Sequence, residues 1–275
     1  MSDREKIIPG FSLTLGFTIF YLSLLVFIPL SMVFLNLFKL DFETFQRHVF
    51  AARTLAAFKI TLLTSLYAAL ANSFFGFIVA WVLVRYNFPG RKIFDALVDL
   101  PFALPTAVAG IALTAAYSQT GMVGRYIYDY FGIQVAYSQL GIFVALLFIG
   151  LPFVVRSLQP VIEDIDTEIE EASATLGASR LRTFLYVLLP GLLPAMLTGF
   201  CLAFARALGE YGSVVFISGN MPMQTEIVPL LIMSKLEQFD YNGAVALAFV
   251  MLMLSFLMLL SINLLQGRLQ RRKSQ

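Results

Sequence analysis

The sequence predicts an all-α fold: a polytopic transmembrane helical bundle of six spans. Composition and length carry that prediction. Hydrophobic residues make up 59% of the 275 residues and charged residues only 13%, about half the charged share of soluble domains. A hydrocarbon core about 30 Å thick needs about 20 apolar residues as helix. Six stretches reach or approach that length: 11–38, 60–84, 101–118, 140–155, 191–208 and 244–265. The hydrophilic remainder is too small for a second soluble domain, so residues 1–275 read as one membrane domain.

The first run is too long for a signal-peptide core and has no small-residue cleavage site behind it, so it reads as a retained span. Pro29 within it predicts a kink. Residues 45–58 read as an amphipathic helix on the membrane surface, which would account for the basic residues Lys39, Arg47, Arg53 and Lys59 around it. The second span ends near Trp81 and Tyr86, an aromatic anchor of the kind found at membrane interfaces. The third carries Pro101 and Pro105, which remove two N–H donors and free carbonyls one turn back. In a bilayer such backbone is tolerated where protein or a water-filled cavity shelters it, so this stretch is either a packing kink or part of a translocation path. Ala103, Ala107 and Gly110 would allow close helix contact.

The fifth span ends in Arg206, Glu210 and Gly212. Arg206 and Glu210 are four apart and share a helix face. They read either as an internal ion pair or as a source of positive potential for a passing anion. The third, fourth and fifth spans are short, so they are expected either to tilt less or to be sheltered inside the bundle. With the N-terminus inside, twelve Lys and Arg fall on the cytoplasmic side, including Arg4, Lys6, Arg268, Arg271, Arg272 and Lys273, and seven on the outer side. That bias places both termini in the cytoplasm.

Residues 156–190 then form a cytoplasmic loop of two short helices. Thr167 and Glu170 have capping-box spacing. Acidic residues from Glu163 to Glu171 suit a helix start, and Gly177 suits a left-handed C-terminal cap. The second stretch, 179–188, carries Arg180 and Arg182 and is expected to end at Pro190. Two helices of about ten residues, each about 15 Å long, make a compact knob, either a solvated connector or a docking element.

Several classes are excluded or disfavoured. A net charge of +2, from 19 basic and 17 acidic side chains, gives no polyanion-binding surface, so no nucleic-acid partner is expected. The single cysteine, Cys201, and single histidine, His48, allow no intrachain disulfide and no His/Cys metal site. No G-x-x-x-x-G-K-[ST] phosphate loop occurs, so ATP hydrolysis by that route is excluded and the chain is expected to be neither an enzyme nor a cofactor binder.

Glu171-Ala172-Ser173, then Gly177, then Val187-Leu188-Leu189-Pro190 resembles the EAA signature of ABC importer permease subunits, with Ser173 and Val187 in place of the usual Ala and Ile. The resemblance implies the type I ABC importer permease architecture. It also implies that the loop is a coupling helix seated in a groove of the ATP-hydrolysing subunit, with Glu171, Ala172, Ser173 and Gly177 as coupling residues. Residues 100–110, 85–91, 208–212, 216–220 and 238–241 are similar to the sulfate/thiosulfate permeases, nearest to their T-type subunits. That likeness implies an inner (plasma) membrane importer. Its partners would be a W-type permease subunit, two ATPase subunits carrying ATP and Mg, and a periplasmic sulfate-binding protein. Thr106, Arg206, Glu210 and Ser213 are the candidate path residues, forming a weak site that lets the anion leave. The alternatives are a molybdate or tungstate permease and a secondary anion transporter, the latter needing coupling residues near mid-membrane that are not visible here.

Overall fold

The computed structural model describes residues 11–273, with side chains at 13–261 and 264. The side chains of Arg4, Lys6, Arg268, Arg271, Arg272 and Lys273, on which the orientation count leans, lie outside the described residues. In lipid a helix satisfies its backbone within one segment, and every regular element among the described residues is helical.

The described residues begin with α1 (Phe11–Leu22), a π-turn (Ser23–Phe27) and α2 (Ile28–Phe38). The widened turn stands just before Pro29, which has no N–H to return to the preceding turn. The apolar stretch of this first span is unburied; Phe34 meets Phe249 edge-on at 5.4 Å.

Helix α3 (Phe42–Val49) follows, capped by Asp41, whose carboxylate accepts from the Glu43 N–H at 3.2 Å. The surface helix expected over 45–58 is therefore shorter and starts earlier. It ends because the Thr54 hydroxyl donates to the His48 carbonyl at 2.8 Å and Ala51 is extended. Residues 52–58 instead open α4 (Ala52–Arg85), which has 34 residues and is about 51 Å long.

Helices α5 (Arg91–Val98) and α6 (Leu100–Ala103) lead to a break at Leu104, which is extended before Pro105, and then to α7 (Thr106–Tyr117). The third span is thus interrupted at its second proline, and its apolar helix has only 12 residues. Helix α8 (Gly124–Phe131) crosses to α9 (Gln139–Glu163). The latter extends past the expected end at Val155, with Pro152 and Pro160 inside it. Helices α10 (Thr167–Thr175) and α11 (Arg180–Thr183) come next, followed by a second π-turn (Phe184–Leu188) and α12 (Leu189–Leu208). The loop expected over 156–190 is accordingly shorter, because 156–163 belong to α9. Pro190 does not end a helix: the π-turn sets it in the first turn of α12, where no N–H is needed. Helices α13 (Val214–Ile217), α14 (Val228–Glu237) and α15 (Tyr241–Lys273) complete the chain.

Five of these helical stretches are long and apolar enough to cross a membrane, with Thr106–Tyr117 as a shorter sixth. The centre is α4, α9 and α12 side by side. Val154, Val155, Leu158, Leu192 and Phe204 are buried between them. Lipid tails give little hydrophobic drive for helix contact, so small residues decide how near the helices come. A Cβ at Gly76 would lie 2.8 Å from Val154 Cγ1, and one at Gly199 would lie 2.8 Å from Val154 Cα.

Candidate functional site

Two regions hold the residues singled out by the sequence: a knob formed by α10, α11 and the second π-turn, and a buried cluster at the end of α12.

The knob is built by local capping. The Asp166 carboxylate accepts from the Glu168 N–H at 3.0 Å. The N-cap is thus Asp166, and the capping box expected from Thr167 and Glu170 does not form, because Thr167 is already the first helical residue. At the other end Gly177 has φ +78°. The Gly177 N–H donates to the Ala174 carbonyl at 3.0 Å and the Ala178 N–H to the Ser173 carbonyl at 3.1 Å, a paired cap that needs the left-handed residue. Ser179 caps α11. The Ser173 and Thr183 hydroxyls, both buried, pair at 2.8 Å. Glu171, Ala172 and Gly177 are exposed, and Leu176, next to Gly177, is 89% exposed. The four motif residues thus split: Ser173 faces inward and holds the knob together, while the other three form an outer surface.

In the second region Arg206 Nη1 and Glu210 Oε2 lie 2.5 Å apart. The Glu210 carboxylate is buried and also accepts from the Ser213 N–H at 2.9 Å and the Ser213 hydroxyl at 3.0 Å. Helix α7 packs onto this turn. A Cβ at Gly212 would lie 2.2 Å from Thr106 Oγ1, and one at Gly110 would lie 2.5 Å from the Ser213 carbonyl oxygen. Thr106, Arg206, Glu210 and Ser213 are therefore brought together, and the ion pair read from their spacing is present. The Ser213 hydroxyl is fully buried and bonded to Glu210, so it orients the carboxylate; Thr106 and Arg206 are the partly exposed members.

Other charged contacts were not read from the sequence. Arg156 lies within α9, donating to Asp99 Oδ1 at 2.8 Å and Asp95 Oδ1 at 2.7 Å. A hydrogen bond from Gln159 holds the Asp95 carboxyl below the usual carboxylate range against the opposing effect of burial, with Arg156 adding to the lowering. Arg53 forks onto the fully buried Glu226 at 2.7 and 2.6 Å. Lys235 bonds Asp240 at 2.7 Å and lies 3.3 Å from His48 Nδ1. Burial would raise the Asp240 carboxyl, but Lys235 and the Gly243 N–H outweigh it and leave the group below its ordinary value. Arg85, at the end of α4, pairs with Glu170. Apart from Lys235 and Asp240, which are five residues apart, these ion-pair partners are remote in sequence, and the only local hint is an arginine at the edge of an apolar run.

Residues 72–275 match the family described as binding-protein-dependent transport system inner membrane component. The sulfate transport system permease protein CysT of Salmonella typhimurium is 46% identical over 270 residues, covering 98% of this chain and 97% of that protein. The chain belongs to this permease family. The protein of the same name from Synechocystis is 49% identical over 249 residues, covering 90% of this chain and 87% of its own. Among solved structures, a bacterial ABC transporter involved in the import of the acidic polysaccharide alginate superposes with a TM-score of 0.78 at 16% identity, covering 94% of this chain and 96% of that one. The MetNI methionine ABC transporter gives a TM-score of 0.55 at 15% identity, covering 80% and 99%. The fold is that of ABC transporter permeases. As a member of the family the chain is a multi-pass membrane component of a transport system.

Proposed function

We propose that this chain is the T-type permease subunit of an ATP-driven importer of sulfate and thiosulfate. One observation carries the reading: 46% identity to a sulfate permease along 98% of the chain. Residues 1–275 act as a single permease domain in the inner membrane with both termini cytoplasmic. Its partners are a W-type permease subunit, two ATPase subunits that bind ATP and Mg, and a periplasmic sulfate-binding protein. This chain binds no cofactor of its own.

In the mechanism, Glu171, Ala172 and Gly177 present the outer surface of the knob to an ATPase subunit, and Ser173 braces that surface from inside. Closure of the ATPase dimer moves α10, and α12, joined to the knob through the π-turn without a loop, carries the motion inward. At its far end α12 holds Arg206 and Glu210 against α7. Rocking of the two permease subunits then opens this region to alternate sides. Arg206 adds positive potential to an otherwise weak site that can release a dianion. Because transport and hydrolysis share one conformational equilibrium, each biases the other.

The test is uptake of radiolabelled sulfate by the complex in liposomes with its binding protein. Uptake that needs ATP on the cytoplasmic face and is weakly competed by molybdate supports the reading. Uptake driven by an ion gradient without ATP refutes it, and strong competition by molybdate reassigns the anion.

A further inference from the structure

The knob touches the bundle at a second place besides its covalent junction with α12. Arg85, in the last turn of α4, pairs with Glu170 of α10. The Arg85 guanidinium carbon also lies 5.3 Å from the centre of the Trp81 ring. Trp81 meets Phe184 edge-on at 5.6 Å, and Phe184 lies 5.8 Å from Phe77. Phe184 directly follows Thr183, whose hydroxyl is paired with Ser173. Ser173 is three residues, about one helical turn, from Glu170. The contacts close into a ring: Arg85, Glu170, Ser173, Thr183, Phe184, Trp81 and back to Arg85.

The other end of α4 is also tied down. Arg53 in its first turn forks onto buried Glu226, and Thr61 Oγ1 accepts from the Val228 N–H at 2.9 Å. Between these ends, Ile60 and Ala68 of α4 share a buried cluster with Val214 and Ile217 of α13, which directly follows Ser213. A single 34-residue helix therefore runs from the knob to the segment that follows the Arg206–Glu210 pair.

We propose that α4 is a second output rod of the coupling knob, and that Arg85 and Glu170 are positioning residues that join α10 to it. The inference rests on the reading of α10 as the ATPase-docking helix. If α10 were held only by its junction with α12, a push on it would rotate the knob about the π-turn, whose wide hydrogen bonding makes it a natural point of bending. The ring prevents that rotation. Ring contact between the half-buried Trp81 and Phe184 supplies cohesion, but apolar contacts can slide. The ion pair supplies register, because it forms at one position only. Glu170 is the one acceptor that Arg85 has among the described residues, and Arg85 Nε is buried without one. Removing Glu170 therefore leaves the arginine without an anchor.

The experiment uses the intact importer complex in nanodiscs, with three readouts: co-purified ATPase subunits, basal ATP hydrolysis, and stimulation of hydrolysis by the binding protein loaded with sulfate. Arg85→Gln and Glu170→Gln should each lower stimulation about fivefold or more, within the usual span of inter-site coupling. The double variant should be no worse than either single one, and Arg85→Lys should recover much of the loss. Subunit binding and basal hydrolysis should be unchanged. Unchanged stimulation in a single variant, or losses that multiply in the double, overturns the proposal. So does a parallel fall in assembly and basal hydrolysis, which marks a merely structural role. Glu171→Lys, on the outer surface of α10, separates the two readings. If it uncouples while Glu170→Gln does not, docking stands and the rod falls; if it neither detaches nor uncouples the ATPase, the docking reading falls and the rod with it.

Discussion

Replacing Arg206 tests whether its charge serves the anion or only its neighbour. Arg206→Gln leaves the Glu210 carboxylate, 1% exposed, with only the two hydrogen bonds from Ser213. Breaking a buried pair in this way costs about 3–5 kcal/mol. The Arg206 side chain is 33% exposed, so screening moves the expected loss towards about 2–3 kcal/mol. The single variant should therefore assemble poorly, contrary to the simplest expectation of an assembled but inactive complex. Arg206→Gln with Glu210→Gln removes both charges and should restore assembly. It also removes the potential felt by the anion. For an anion about 6 Å from the guanidinium and about 9 Å from the carboxylate, at an effective dielectric of about 20, the pair contributes roughly 1 kcal/mol per unit charge. A dianion gains roughly 2 kcal/mol, a factor of roughly 20 to 30 in rate or occupancy. The assay is initial sulfate uptake per assembled complex in liposomes. Assembly near the parent level with uptake lowered about tenfold or more is expected. Parental uptake by the double variant would show that Arg206 is only the counter-ion of Glu210.

Three more perturbations follow from the geometry. Gly110→Ala puts a Cβ 2.5 Å from the Ser213 carbonyl oxygen and 2.7 Å from its Cα; both are backbone atoms, so α7 must move, at about 1–3 kcal/mol, and an unchanged melting temperature of the purified complex would contradict this. Arg53→Met strands the fully buried Glu226 and should destabilise by about 3 kcal/mol, near the lower end for such pairs because Arg53 is partly exposed; adding Glu226→Gln should recover most of the loss in a thermal shift measurement. Asp240 has a native value below its ordinary one, so the stability from its tie to Lys235 is fully present above the ordinary carboxylate value of about 4 and is lost as pH falls further, through the lowered native value. Asp240→Asn should therefore lower the melting temperature at pH 7, with a gap to the parent that narrows only on acidification below about pH 4; a gap that already closes between about pH 7 and about pH 5 would refute the assignment.

What the sequence reveals here is what is local. Apolar length marks the spans, since lipid admits few alternatives. The Arg206–Glu210 pair is legible because one helical turn separates its members, and Gly177 because a helix end of that form needs a left-handed residue. The sequence places Arg156 in a loop because a charge inside a span is expensive; its counter-ions Asp95 and Asp99 come from 61 and 57 residues away, and with them α9 continues to Glu163. Spacing pairs Glu170 with its own helix end, yet its partner is Arg85, 85 residues away. At Pro190 the rule that proline stops a helix is local, whereas the outcome depends on the π-turn and the packing of Phe184 against α4. The surface helix is shorter than periodicity predicts because periodicity does not show the Thr54 hydroxyl bonding back to the His48 carbonyl.

The measurement that bears most directly on the account is a thiol cross-link from Leu176→Cys, at the exposed tip of α10, to the ATPase subunit in native membranes, with the buried Cys201 replaced by Ala. A cross-linked pair whose yield changes when ATP is added is the predicted result. Reaction of that thiol with an impermeant reagent added from the periplasmic side, with no cross-link to the ATPase, would contradict it.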